Sequence, residues 1–188
     1  MGPGEGLSCD ITLNTKLTLE QRKLYQDPLL IRRLLRDAKT VAIVGLSSNS
    51  QKASYFVANY LQHEGYRIIP VNPRAEGEIL SEPVYPDLLA AGQALKEQGV
   101  SLDVVEIFRP PKEIPAVVDQ AIEAGAKAVW MQLKLVDLDA AAKARRAGLE
   151  VVADRCLKIE HGRYAGTLAW GGMNTEIISA RKAPYPKK

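Results

Sequence analysis

Short apolar runs recur along the chain at a spacing that leaves room for one helix between each pair, and this alternation limits the fold more than any other feature. It predicts strands over residues 40–45, 67–71, 102–108, 126–131 and 149–153, and helices over 52–64, 86–98, 112–124 and 137–147. The runs Val41-Ala-Ile-Val44, Val104-Val-Glu-Ile107 and Ala128-Val-Trp-Met131 are largely apolar throughout. Strands with no consistent polar face are buried on both sides, which requires helices above and below a parallel sheet. Glycines stand at 65, 99, 125 and 148, each where a helix has to end before the next strand. The pattern specifies an α/β fold: a Rossmann-like, doubly wound, mainly parallel sheet of five to six strands in three layers. A further helix precedes the first strand, because Asp27-Pro28 places a cap and a first-turn proline ahead of Leu29, Leu30, Leu34 and Leu35. The stretch 75–83 leads toward a short extra strand near Val84-Tyr85.

A chain of 188 residues has room for one domain with a substantial core. We expect an arm over residues 1–21, the domain over 22–164, and a C-terminal extension over 165–188 that lies on the domain or on the partner of a homodimer. Its formal charge of +3 is small and scattered, which argues against nucleic acid as a ligand. No apolar run is long enough to span a membrane, and the start of the chain lacks the basic-then-apolar order of an export signal, so a cytoplasmic protein is expected. The two cysteines, Cys9 and Cys156, and the two histidines, His63 and His161, show no metal-ligand spacing. No metal is expected.

In a doubly wound sheet, ligands bind beyond the carboxyl ends of the strands. The first such end opens on Gly45-Leu46-Ser47-Ser48-Asn49-Ser50-Gln51-Lys52 and runs into a helix containing Ser54. A loop feeding a helix N-terminus directs unpaired amide donors and a positive dipole end at an anion. A dinucleotide fingerprint would need glycines where Ser47 and Ser50 stand. Hydroxyl, amide and ammonium donors take their place and suit a diphosphate. At the end of the second strand, Val71-Asn72-Pro73-Arg74 occupies the position where an NAD site places a carboxylate for the ribose hydroxyls. Arginine there pairs with a ribose phosphate, which coenzyme A and NADP both carry. After the third strand, Phe108-Arg109-Pro110-Pro111 and the following Ile114 offer an apolar wall with a stiff edge for an adenine ring or a thioether arm.

Each of these stretches has a plainer structural reading. The serines and Asn49 can form turns that cap the helix, with Ser50 or Ser54 serving backbone. Phe108 can be core, with the prolines merely starting a helix. Trp130 and Gln132 can flank a ligand or pack. Cys156 and His161 suggest a nucleophile and base, but a lone cysteine after a buried strand is more often apolar filling, and such a histidine more often serves a backbone carbonyl. No oriented third group or oxyanion site is visible, and no catalytic residue is assigned.

With Val44-Gly-Leu-Ser47, Ile69-Pro-Val-Asn-Pro73, Val105-Glu-Ile-Phe-Arg-Pro110, Ala128-Val-Trp-Met-Gln132 and Asp154-Arg-Cys-Leu-Lys-Ile-Glu-His161 all present, the chain resembles the small stand-alone CoA-binding proteins of bacteria and archaea. These look like the N-terminal domain of the succinyl-CoA synthetase alpha subunit, and the likeness covers roughly residues 22–164. The resemblance implies that Gly45, Ser47, Lys52 and Ser54 hold a diphosphate, with Asn72, Pro73 and Arg74 beside the adenosine and Phe108 to Pro111 bordering adenine and pantetheine. Relatives commonly have arginine where Lys52 stands and glycine where Lys134 stands. Nothing corresponds to the synthetase's second domain, so ligase activity is not implied. The function expected is non-catalytic binding of coenzyme A or an acyl-CoA. The alternative is an NADP-binding oxidoreductase or nucleotide-sensing domain, and a third possibility is a mixed disulfide between Cys156 and CoA.

Overall fold

The computed structural model describes residues 16–164. Two helices, α1 (Leu19–Tyr25) and α2 (Pro28–Asp37), precede strands β1 (Thr40–Val44), β2 (Arg67–Val71), β5 (Val104–Ile107), β6 (Ala128–Met131) and β7 (Glu150–Val152). Helices α3 (Ala53–His63), α4 (Leu88–Glu97), α5 (Ile114–Glu123) and α6 (Leu138–Arg146) connect them, and α7 (Leu157–Tyr164) follows β7. The expected arm up to residue 15 and the extension 165–188 lie outside the described residues, as does Cys9. Helix α1 runs across position 22, the expected start of the domain, and is fixed by a capping box between Thr18 and Gln21.

The five strands pair in the order β2-β1-β5-β6-β7, every pair parallel. The chain leaves β1 in one direction to add β2, then returns to β1's other side to add β5, so strand order reverses between β1 and β5. A topological switch of this kind opens a crevice at the strands' carboxyl ends.

Side-chain alternation divides the core into two layers. Ala42, Val44, Val105, Ile107, Val129 and Met131 face α4, α5 and α6. Val41, Ile43, Ile68, Val104, Ala128 and Trp130 face α2, α3 and α7. Helices α2 to α6 each contribute an apolar stripe, such as Leu88, Ala91 and Leu95 of α4, and burying a leucine, isoleucine or valine side chain stabilises by about 1.5–3 kcal/mol. The layered sheet matches the expected fold class.

The amino ends of β1 and β5 are joined by one carboxylate. Asp103 accepts from the backbone amides of Lys39 and Thr40 at 2.7 and 3.1 Å, from the Ser101 hydroxyl at 2.7 Å and from the Lys127 ammonium at 2.7 Å. Burial alone would raise its pKa. These donors outweigh that and hold it at about 2.

Two local features depart from expectation. The stretch 75–83 forms a hairpin of β3 (Glu78–Ile79) and β4 (Glu82–Pro83), while Tyr85 makes only an isolated parallel bridge with Val71. Its turn residues Leu80 and Ser81 both have positive φ, 55° and 62°, the geometry of a hairpin turn that usually selects Gly or Asn. Gln62 of α3 donates to the Leu80 carbonyl at 2.8 Å and holds the turn in place. Helix α7 was also not expected, because it buries Glu160, His161 and Arg163 beside Leu157 rather than an apolar stripe.

Candidate functional site

The crevice is built on one glycine. Gly45 leaves β1 at φ +92°, and its amide donates to the Val71 carbonyl at 2.8 Å. A Cβ there would lie 2.6 Å from the Phe108 carbonyl oxygen and 2.9 Å from Arg109 Cδ. The backbone of the first loop therefore touches the loop after β5 with no space for a side chain.

Beyond Gly45 the loop is ordered by its own polar groups. The Ser47 amide donates to Ser54 Oγ at 3.2 Å, the Asn49 amide to Ser47 Oγ at 3.1 Å, and the Gln51 amide to Asn49 Oδ1 at 2.9 Å. The cap-forming alternative is thus realised for the side chains of Ser47, Asn49 and Ser54, and Ser54 is buried. Each remaining hydroxyl hydrogen is still available to donate. Ser48, Ser50 and Lys52 are exposed. Lys52 is the N-cap of α3 and supplies no side-chain cap, whereas α1, α2, α4 and α6 are capped by Thr18, Asp27, Asp87 and Asp137. The first-turn amides of α3 are consequently left for an external acceptor.

The end of β2 closes one side. Asn72 Nδ2 donates to the Leu46 carbonyl at 2.8 Å and Asn72 Oδ1 accepts from the Arg74 amide at 3.0 Å, so one side chain ties the two loops together. Pro73 and Arg74 are exposed. On the other side, Phe108 is half-buried against the α2/α3/α7 core layer, and its amide donates to the Val44 carbonyl at 2.9 Å. Arg109 pairs with Glu113 at 2.6 Å. Pro110 and Pro111 are exposed and lead through a short 3-10 turn, Pro111–Glu113, into α5.

Three candidates prove to be supporting residues as far as their side chains go. Leu46, Val71 and Ile114 are 0–1% exposed, so their side chains belong to the core. Trp130 is likewise fully buried, its indole donating to the Arg155 carbonyl at 2.7 Å, which settles it as packing. His161 does not serve a backbone carbonyl: its Nδ1 lies 3.0 Å from Tyr60 Oη, and its ring packs edge-on against Tyr60 and Tyr66. Burial pushes its pKa down and that of Tyr66 up to about 12.

Sequence reasoning missed Glu106. It lies mid-strand in β5, fully buried, and accepts from Gln132 Nε2 at 2.8 Å, while its second oxygen has no partner among the described residues. Burial pushes its pKa up to about 8. The only signal was a single acid inside Val104-Val-Glu-Ile107, in a strand otherwise suited to burial on both sides. Half-buried Cys156 stands beside it.

A cavity of about 590 Å³ lies at the opposite edge of the sheet, beneath the strands' amino ends. Its charged residues are all paired, Arg33 with Glu150, Lys127 with Asp103, and Asp37 with Arg36 outside the lining. That leaves no group converging on a ligand, and the carboxyl-edge crevice is the better candidate. Among the described residues, no three His, Cys, Asp or Glu side chains cluster as a metal site, and no helix is long and apolar enough to cross a membrane.

Comparison with known proteins agrees with this architecture. A model of the CoA binding domain matches residues 39–162. The uncharacterized protein YneT of Bacillus subtilis is 34% identical over 131 residues, 70% of this chain and 91% of that one. A hypothetical protein from Pyrococcus horikoshii superposes with TM-score 0.66 at 34% identity, covering 87% of this chain and all of that one. A Thermus thermophilus structure gives 0.65 at 30% identity, covering 73% and 98%.

Proposed function

The chain belongs to the CoA binding domain family, and from that membership we propose that it binds coenzyme A or an acyl-CoA in the crevice between β1 and β5, as a binder or carrier without catalysis of its own. The uncapped N-terminus of α3 carries the proposal. Its free amides, the dipole end and the exposed Lys52 receive the diphosphate, helped by Ser47, Ser48, Asn49 and Ser54. Lysine in place of the relatives' arginine retains the charge and gives up the two-pronged geometry.

Asn72, Pro73 and Arg74 lie beside the adenosine. The Arg74 guanidinium makes no hydrogen bond or ion pair among the described residues, so a ribose phosphate would be its partner. Phe108, Arg109, Pro110 and Pro111 border the adenine and the start of the pantetheine arm. Arg109 is held by Glu113, which favours a wall over a second phosphate contact.

Calorimetric titration tests the assignment with three ligands. CoA is expected to bind about tenfold or more tighter than dephospho-CoA, the yield of one charge-assisted pair, and Arg74→Ala is expected to erase that gap. NADP binding as tightly as CoA would overturn the choice of ligand. Equal affinity for CoA and dephospho-CoA would overturn the role of Arg74.

A further inference from the structure

Cys156 and Glu106 are far apart in sequence, yet the strand order brings them together at the carboxyl edge. Glu106 points to the α2/α3/α7 side of the sheet, since its neighbours Val105 and Ile107 face the other layer. Cys156 packs against that same α2/α3/α7 layer, as does Phe108 at the crevice wall. Gln132, the residue after β6, donates to Glu106 and also lies beside the Cys156 sulfur.

Cys156 immediately precedes α7, and its sulfur lies next to the backbone amides of Lys158 and Ile159. Such amides stabilise a thiolate. A cysteine that merely filled space would not need a buried acid as its neighbour. Glu106 is fully buried with one oxygen unpartnered among the described residues, an arrangement that costs stability unless some group uses that oxygen.

We propose that Cys156 is an exchange-active thiol that forms a mixed disulfide with the thiol end of the bound nucleotide, Glu106 taking up the thiol proton. The inference rests on the CoA reading, and its co-reactant is the disulfide of CoA. In molecules whose Glu106 is ionised, a fraction that grows as pH rises toward 8, the Cys156 proton moves to the Glu106 carboxylate as the sulfur attacks one sulfur of the disulfide. A new S–S bond forms at Cys156, the original S–S bond breaks, and the departing CoA thiolate takes up the proton. Cys156 is oxidised as one CoA half is reduced, so the step balances.

The electrostatics fit a thiol that stays protonated until a ligand arrives. Burial, and after it the proximity of Glu106, push the Cys156 thiol up against the opposing amides of Ile159 and Lys158 and the Gln132 side chain. Glu106 itself changes charge at about 8, close to the working range in which a proton acceptor is most effective.

The full chain incubated with CoA disulfide should gain the mass of one CoA less two hydrogens, on Cys156 by peptide mapping, and lose it on reduction. Cystamine, a disulfide without a nucleotide, should modify Cys156 about tenfold or more slowly. Glu106→Gln should slow the CoA reaction about tenfold or more. Calorimetry of Cys156→Ser with reduced CoA reads binding separately from exchange. No adduct at Cys156, an adduct on Cys9 alone, or equal rates with the two disulfides would overturn the proposal. If Cys156→Ser binds CoA while the parent forms no adduct, exchange fails and the binding function stands. The two-disulfide comparison needs no variant, so it decides the matter even if Glu106→Gln does not fold.

Discussion

Gly45→Ala is the most informative single change, because Gly65 supplies its control. Gly45 and Gly65 have nearly the same backbone torsion, φ +92° and +94°. They differ in surroundings: a Cβ at Gly65 meets nothing within 4 Å, whereas one at Gly45 meets the Phe108 carbonyl oxygen at 2.6 Å. Gly65→Ala therefore measures the torsion penalty alone, about 1–2 kcal/mol for an L-residue in the left-handed region. Gly45→Ala carries the same penalty plus an overlap with backbone that is pinned in the sheet by the Phe108-to-Val44 hydrogen bond. Forcing extra volume into such a contact costs about 1–3 kcal/mol more. In thermal unfolding, the difference between the two variants becomes a further fall in Tm of roughly 2–4 °C per kcal/mol for a chain of this size. CoA titration should then separate them again, with Gly65→Ala binding like the parent and Gly45→Ala weakened, since the displaced loop carries Phe108 and Arg109. If Gly45→Ala unfolds no earlier than Gly65→Ala, the close approach of the two loops is not a constraint and the crevice geometry described above is wrong.

Asp103→Asn is expected to cost about 2 kcal/mol at neutral pH, because the native carboxyl titrates at about 2 rather than near 3.8. A lowered native pKa stabilises above pH 3.8 and loses that contribution as pH falls toward 2, so the gap between parent and variant in chemical denaturation should close over that window. Glu106 has the opposite sign. Its native pKa of about 8 lies above the ordinary 4.5, so native protein holds a proton that the unfolded chain releases. Parent stability should decline between those values by up to about 1.4 kcal/mol per pH unit, and in Glu106→Gln that slope should vanish; an unchanged slope would mean the carboxyl is not buried in its neutral form. Lys134→Gly should raise stability by about 0.5–1 kcal/mol, as glycine relieves a residue held at φ 66° and gives back part of the gain as unfolded-state entropy; a loss of stability in a melting experiment would refute that account.

Lys134 holds the left-handed conformation that glycine adopts at least cost. Its amide donates to Asp154 Oδ1 at 2.6 Å, so the bend there is set by a buried carboxylate and the lysine side chain stays exposed. The alternation of strands and helices was legible because β1, β5 and β6 are fully buried and because helix-terminating residues mark each turn. The polar loop after β1 was legible from its hydroxyl and amide side chains, which order it among themselves. Helix α7 was hidden because periodicity reports apolar faces, and this helix buries an ion pair between Glu160 and Arg163 instead. The hairpin was hidden because Leu80 and Ser81 are not residues that a tight turn selects, and Gln62 from α3 supplies what the local sequence lacks. Glu106, Gln132 and Cys156 end up together only through strand order, which no local pattern encodes.

The position of β1 between β2 and β5 also governs when the crevice comes into being. Its two walls hang from opposite edges of one strand, through the Gly45 bond to Val71 and the Phe108 bond to Val44. A chain emerging from the ribosome can pair β1 with β2 once residue 71 is clear, yet it has only half a cleft until residue 108 has followed. On the proposed reading, nucleotide recognition is thus a late event in the birth of this protein. A ligand that recognises the finished cleft favours molecules in which the long-range parallel pairing, the slow kind of contact to form, is already complete.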